Sequence, residues 1–334
     1  MAGRRAALLE CRAAALNLRQ MLQYLARRLV LTVPTLLLVA VIVFLLVRLV
    51  PGDPAQVMLG EGADPAAVAA MHHEMGLDRP LPVQFATWLS HVAIGDFGAS
   101  IRTGEPVSSL IASHFKVTAT VVLVAMALAT LIAICGGLIA AWRQNSALDL
   151  AILGAASLVM AVPSFWLGLI LLLVLALKLG WFPVVGYVSF SEAGLDALWY
   201  LVLPIATLTI TECGVLTRMM RASSLEVLRL DYITHARAKG LPERAVLARH
   251  VFPNAFAPTL TLVGLSLGHL MGGIAVIETV FTLPGLGRLL VDSILSRDYP
   301  VVQGCLLFTA VVYVVVNLVV DLCYPLFDPR VAVQ

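Results

Sequence analysis

Apolar residues run along this chain in six blocks, each about as long as a membrane is thick, and polar residues collect between them. A helix needs roughly 17 to 25 apolar residues to cross a hydrocarbon layer of about 30 Å. The blocks predict spans at about Leu29 to Val50, Val117 to Ala141, Leu150 to Leu177, Leu198 to Thr217, Ala257 to Val280 and Val301 to Cys323. The expected fold class is therefore an all-α membrane protein with six transmembrane helices.

Two polar stretches are longer than a connector requires. The first, residues 51–116, opens on the turn signal Pro51-Gly52-Asp53-Pro54 and carries a short helical pattern near Pro65 to Met75 with Asp64 as N-cap. Its Phe85, Trp88 and Phe97 read as anchors at headgroup level. The second, residues 218–254, reads as an arginine-rich continuation of span four, a helix over Asp231 to Lys239, a break at Gly240-Leu241-Pro242, and a helix over Glu243 to His250. Gly suits a left-handed helix end, Pro suits the first turn of the next helix, and an acid suits its positive pole.

Composition and charge add orientation. Of 334 residues, 60% are hydrophobic and 13% charged, which lies outside the range of soluble domains. Basic residues flanking spans stay on the cytoplasmic side. Arg4, Arg5, Arg12, Arg19, Arg27 and Arg28 precede the first span, and Arg218, Arg221, Arg229, Arg237, Lys239, Arg244 and Arg249 lie between spans four and five. The 51–116 stretch holds only Arg79, Arg102 and Lys116 against Asp53, Glu61, Asp64, Glu74, Asp78, Asp96 and Glu105. Both termini are thus expected in the cytoplasm and 51–116 outside. The net charge of +2 reflects these orientation signals and not a nucleic-acid surface. The first block exceeds a secretory h-region and lacks a small-residue cleavage site, so it is expected to stay as an anchor. Cys11, Cys135, Cys213, Cys305 and Cys323 avoid the outer stretch, which leaves no disulfide framework.

Chemistry inside the blocks is sparse. Glu212 sits in span four, where an acid faces either a cavity or a basic partner such as Arg218 or Arg221. Gly264, Gly268 and Gly272 recur every four residues on span five, marking close helix packing or a smooth moving interface, with His269 beside them. Glu212, these three glycines and His269 are the candidate pathway residues. Glu278 and Asp321 read as interfacial, and Arg48 as snorkelling outward. Ser266 and His269 lack any oxyanion-type loop, so an intramembrane enzyme is disfavoured. The adjacent His72 and His73 point apart on a helix, and no metal site is expected.

The spacing Thr234-His235-Ala236-x3-Gly240-x12-Pro253 resembles the EAA-type motif of permeases of ATP-binding-cassette importers. Thr234 and His235 stand where the motif name has Glu and Ala. The run from Asp231 to Gly240 is similar to the dipeptide, oligopeptide and glutathione branch, as are Gly76-Leu77-Asp78, Gly95-Asp96-Phe97-Gly98, Pro284-Gly285-Leu286-Gly287 and the tail ending Asp328-Pro329-Arg330. The resemblance covers about Leu22 to Arg330. It implies a type I importer permease fold in the bacterial inner membrane. The chain divides into a cytoplasmic leader (1–28), a first span (29–50), an external loop domain (51–116), a five-helix core (117–323) with the coupling loop 218–254, and a cytoplasmic tail (324–334). Thr234, His235, Ala236, Arg237, Lys239, Gly240 and Pro253 would then engage a cytoplasmic ATPase. The chain has no phosphate-cradling G-x-x-x-x-G-K-[ST] loop of its own, so ATP and magnesium would belong to partner ATPase subunits. A homologous second permease and an external substrate-binding protein complete the implied partners, in a lipid membrane. Nickel, heme or another small solute is the alternative cargo. A secondary transporter is disfavoured, because no inverted repeat is visible.

Overall fold

The computed structural model describes residues 30–46, 48, 54–59, 62–74, 76–184, 186–189 and 194–327. The leader, the Pro51-Gly52-Asp53 turn, Glu61 and the Asp328-Pro329-Arg330 end of the tail lie outside the described residues. Among the described residues the chain is built of helices, with a single isolated bridge between Ala99 and Pro106.

The apolar helix α1 (Val30–Leu46) leads to three short helices, α2 (Pro54–Leu59), α3 (Pro65–Glu74) and α4 (Leu81–Ala93). Asp64 caps α3 as expected, its carboxylate accepting from Ala66 N at 3.1 Å. The aromatics of α4 pack against α1. Phe85 and Trp88 pack on Phe44 of α1 with ring centroids 5.2 and 5.7 Å away, and Arg48 lies over Phe44 while donating to Gln84 Oε1 at 2.8 Å. Arg48 therefore ties α1 to α4 instead of snorkelling. Phe97 is likewise folded inward, against Val107 and Ile111.

Helix α5 (Val107–Trp142) begins ten residues before the predicted span, directly after Pro106, and its 36 residues make it about 54 Å long. The predicted third span is not one rod. It is α6 (Ala147–Ala161) and α7 (Ser164–Leu171, continued by a π-helical turn to Lys178), meeting at 100°. Pro163 is the cause, because proline lacks the amide proton and forces Val162 into an extended conformation. Helix α8 (Ala197–Leu228) continues well past Thr217. Then follow α9 (Asp231–Ala238), α10 (Glu243–Val246, with a π-helical turn to Val251) and α11 (Phe252–Gly273). The predicted fifth span stops at Gly273, where a Gly-Gly pair ends α11, and α12 (Ala275–Val280) is separate. Helices α13 (Leu286–Leu295) and α14 (Tyr299–Phe327) close the chain.

Four stretches are helical, long and apolar enough to cross a membrane, and the bent α6–α7 pair would make a fifth. Helix α1 is also apolar but shorter within the described residues. Three packed clusters run along α5. Val107 and Ile111 at its start meet Leu286, Val301 and Cys305; its middle meets α8, α11 and α12; Ile134 and Leu138 near its end join Met220, Ile233, Val246, Val251 and Phe256. Backbones approach closely here, since a Cβ on Gly137 would lie 2.6 Å from Met220 Cβ. Elsewhere large apolar side chains such as Leu131, Leu150, Leu158 and Leu177 stand mostly exposed, the surface of a protein whose solvent is hydrocarbon.

Candidate functional site at the 218–254 loop

The loop is rigid because its apolar residues are spaced to reach one cluster. Ile233 of α9 buries itself with Val246 and Val251 against Met220 and Val227 of α8 and Phe256 of α11, and Ala236, three residues on, is buried too. Helix α9 ends on Gly240 at φ +79°, whose N–H donates to Arg237 O at 2.9 Å. Nothing lies within 4 Å of a Cβ placed on Gly240, so the position demands a left-handed backbone and not space. Pro242 starts α10, and Arg237 donates from Nε and Nη2 to both Glu243 carboxylate oxygens at 2.8 and 3.2 Å, bracketing the turn.

What this leaves outward is a cationic turn. Thr234, His235, Arg237, Lys239 and Gly240 are exposed, together with Arg244 and Arg249. Ala236 departs from the expected set, being only 6% exposed and packed inward. Pro253 is half-buried where the π-helical turn runs on into α11, and the Asn254 side-chain amide donates to His250 O at 2.8 Å beside it. Partial burial raises the Tyr232 phenol above its ordinary value, so it stays a neutral part of the same surface.

A buried ion pair fixes α8 where the loop begins. Arg221 Nε and Nη2 donate to the two oxygens of Asp149 at 2.6 and 2.7 Å. Asp149 also accepts from Asn145 N at 2.9 Å, while Ser146 Oγ accepts from Asp149 N at 3.3 Å. Ser146 is thus the N-cap of α6, with Asp149 reaching back one residue further, to Asn145, and the pattern Ser146-x-x-Asp149 could have signalled the helix start. Arg221 is thus spent on Asp149, and Arg218 reaches only Met160 Sδ at 4.0 Å. Glu212, half-buried at the midpoint of α8, pairs with neither.

The span-five glycines have a different place from the one expected of a pathway. A Cβ on Gly264 would meet Val320 at 2.6 Å, on Gly268 Tyr313 at 2.7 Å, and on Gly272 Thr309 at 2.9 Å. All three neighbours belong to α14, so this face is an internal helix contact and not an open one. His269 lies off that contact and is exposed beside Leu265.

One carboxylate was misplaced altogether. Glu278, expected at an interface, is 0% exposed. It accepts from Thr118 Oγ1 at 2.6 Å and from Arg288 N at 2.8 Å. Neither Thr118 nor this burial has a local signal, because the contact joins residues 160 positions apart. Among the described residues no group of three or more His, Cys, Asp or Glu is placed to hold a metal ion. His73 instead hydrogen-bonds Asp78 Oδ2 through Nδ1 at 2.7 Å, and that bond holds the exposed Asp78 carboxyl below its ordinary value.

Residues 133–333 match the family model described as binding-protein-dependent transport system inner membrane component, and residues 21–123 match that of its N-terminal part. The chain is 43% identical over 305 residues to a putative peptide transport system permease protein of Brucella suis, covering 91% of this chain and 97% of that one. It is 38% identical over 331 residues to a dipeptide transport system permease protein of Alkalihalophilus pseudofirmus (93% and 99%), and 41% identical over 316 residues to a glutathione transport system permease protein of Salmonella paratyphi A (93% and 99%). A solved amino acid ABC transporter aligns at a TM-score of 0.45 and 16% identity, over 67% of this chain and 94% of that one. With an all-helical body, spans long enough to cross a bilayer, and family models matching most of its length, the chain belongs to the binding-protein-dependent transport system inner membrane components: it is a multi-pass permease subunit and not an enzyme.

Proposed function

We propose that this permease forms half of the translocation path of an ATP-driven importer for di- or oligopeptides, and that the turn around Gly240 is where a cytoplasmic ATPase docks. The observation that carries the reading is the α9–Gly240–α10 turn, cationic on its outer side and packed onto α8 and α11 by Ile233, Val246 and Val251. A push on such a turn must displace the spans, because no slack lies between them. ATP and magnesium are bound by the ATPase partners, a second permease completes the path, and an external binding protein delivers the cargo. The peptide, dipeptide and glutathione names of relatives at 38–43% identity support a peptide cargo over nickel or heme.

In this reading both termini and the 218–254 loop face the cytoplasm, and residues 51–106 form the outer cap. Thr234, His235, Arg237, Lys239 and Gly240 meet the ATPase. Glu212 and His269 belong to the water-lined path or the seam with the second permease, since an unpaired mid-span acid and an exposed mid-span histidine are costly against lipid. The test is uptake of a labelled dipeptide by proteoliposomes holding the full importer and its binding protein. Uptake should require ATP inside the compartment equivalent to cytoplasm and should vanish in a Gly240→Val importer that still assembles. Uptake driven by a proton gradient alone would sink the reading.

A further inference from the structure

The Pro284-Gly285-Leu286-Gly287 stretch has no part in the docking surface, yet it is packed more tightly than any ordinary turn. A Cβ on Gly285 would overlap the Glu278 carboxylate, and one on Gly287 would lie 2.8 Å from Ala275 N. The glycines let α13 begin directly against α12. Glu278 and Thr118 fill the space between. Thr118 Oγ1 donates to Glu278 Oε1 at 2.6 Å and accepts from Leu286 N at 2.8 Å, while Glu278 Oε2 accepts from Arg288 N at 2.8 Å. One threonine hydroxyl and one carboxylate thus satisfy two amides at the start of α13, and both side chains are shut off from solvent. A second carboxylate holds the far end of the same hairpin. Asp298, 4% exposed, accepts from Ser100 Oγ at 2.5 Å and from Ile101 N at 3.1 Å, tying the start of α14 to the turn before α5.

These ties lie at the end of the bundle opposite the 218–254 loop. Helices α5 and α11 both run between the two ends, and α11 breaks at Gly273 just before the hairpin. Without the latch, movement carried by α11 would be lost at that break. We propose that Glu278 and Thr118 form a polar latch that fastens the α12–α13 hairpin to α5, so that the far ends of α5, α11 and α14 move as one body when the 218–254 loop is displaced. Both are positioning residues for transport: they bind no cargo and act by holding helices together. Both Glu278 carboxyl oxygens serve as acceptors here, and an amide offers only one such oxygen. The inference rests on the coupling reading of that loop.

The experiment measures ATP hydrolysed per peptide imported, in proteoliposomes containing the whole importer and its binding protein. The native importer is the control for the coupling reading itself: no ATP-driven uptake there would overturn that reading before the latch is tested. Thr118→Val keeps the shape and removes the hydroxyl, leaving Leu286 N and one Glu278 oxygen without partners. It is expected to raise ATP used per peptide by about tenfold, the size of one lost buried hydrogen bond, with assembly retained. Glu278→Gln should do the same, and the double variant should be no worse than either single one, because both remove one unit. Thr118→Ser restores the hydroxyl and should return the native ratio. A native ratio in Thr118→Val, whether uptake is full or falls together with hydrolysis, would overturn the latch. So would a Thr118→Ser importer as uncoupled as Thr118→Val.

Discussion

Gly240 and Glu278 are sensitive to substitution for opposite reasons. Gly240 is surrounded by open space, and only its φ of +79° excludes other residues. Tolerance should therefore follow the left-handed preference and not size. Gly240→Asn is expected to keep most uptake, whereas Gly240→Val, no bulkier on any scale that matters there, should lose it at a backbone cost of roughly 1 to 2 kcal/mol or more. Equal uptake by the two variants would contradict this. The Asp149–Arg221 pair is sensitive through charge. Removing one partner leaves the other buried, so Asp149→Asn should cost about 3 kcal/mol, at the low end for buried pairs because the Arg221 side chain keeps 18% of its exposure. The Asp149→Leu/Arg221→Met double variant should be more stable than either single change in a thermal unfolding assay of the purified complex. The Arg237–Glu243 bracket is exposed at both ends and should contribute under about 1 kcal/mol.

Among the elements, the seam between α11 and α14 is set by Gly264, Gly268 and Gly272, which bring two spans together in the absence of any hydrophobic drive between apolar helices in lipid. Gly268→Leu should destabilise the folded permease by about 1 to 3 kcal/mol through overlap with Tyr313. Tyr313→Ala in the same chain should recover part of that loss. No recovery in melting temperature would mean that the clash lies elsewhere. The seam was visible in the sequence as a four-residue glycine period, but its partner was not, because periodicity describes one helix and says nothing about what faces it. Helices α6 and α7 show the reverse. Their apolar content reads as one span, and a single Pro163 turns it through 100°. Proline was legible at that position, but the bend was not, since membrane helices absorb many prolines, as α8 does at Pro204 and α11 at Pro258.

For the whole molecule, the reading places the two polar regions on opposite sides of the membrane. Single cysteines introduced at Lys239 and Arg102, both exposed, report this directly. In intact spheroplasts, a membrane-impermeant thiol reagent should label Arg102→Cys at once and Lys239→Cys only after permeabilisation, against a background set by the free native cysteines. Labelling of both from the same side would overturn the orientation. The geometry suits transmission between the sides, because α5 carries packed clusters near each end and in its middle. In the proposed coupling, a displacement at the Gly240 turn would reach the Glu278 end through side chains packed along the continuous α5.

Sequence by itself determined the solvent, the helical class and the turn at Gly240. Apolar blocks of membrane length leave few folds open, and Gly240 followed by Pro242 is punctuation written in adjacent residues. Only the tertiary structure decided which polar groups meet. Arg221 chose Asp149 over Glu212, the glycine face chose α14, and Glu278 left the interface for a buried seat beside Thr118. The physical reason is range. Caps, turns and periodicity depend on neighbours a few residues apart, whereas the partner of a buried charge is set by which helices pack together.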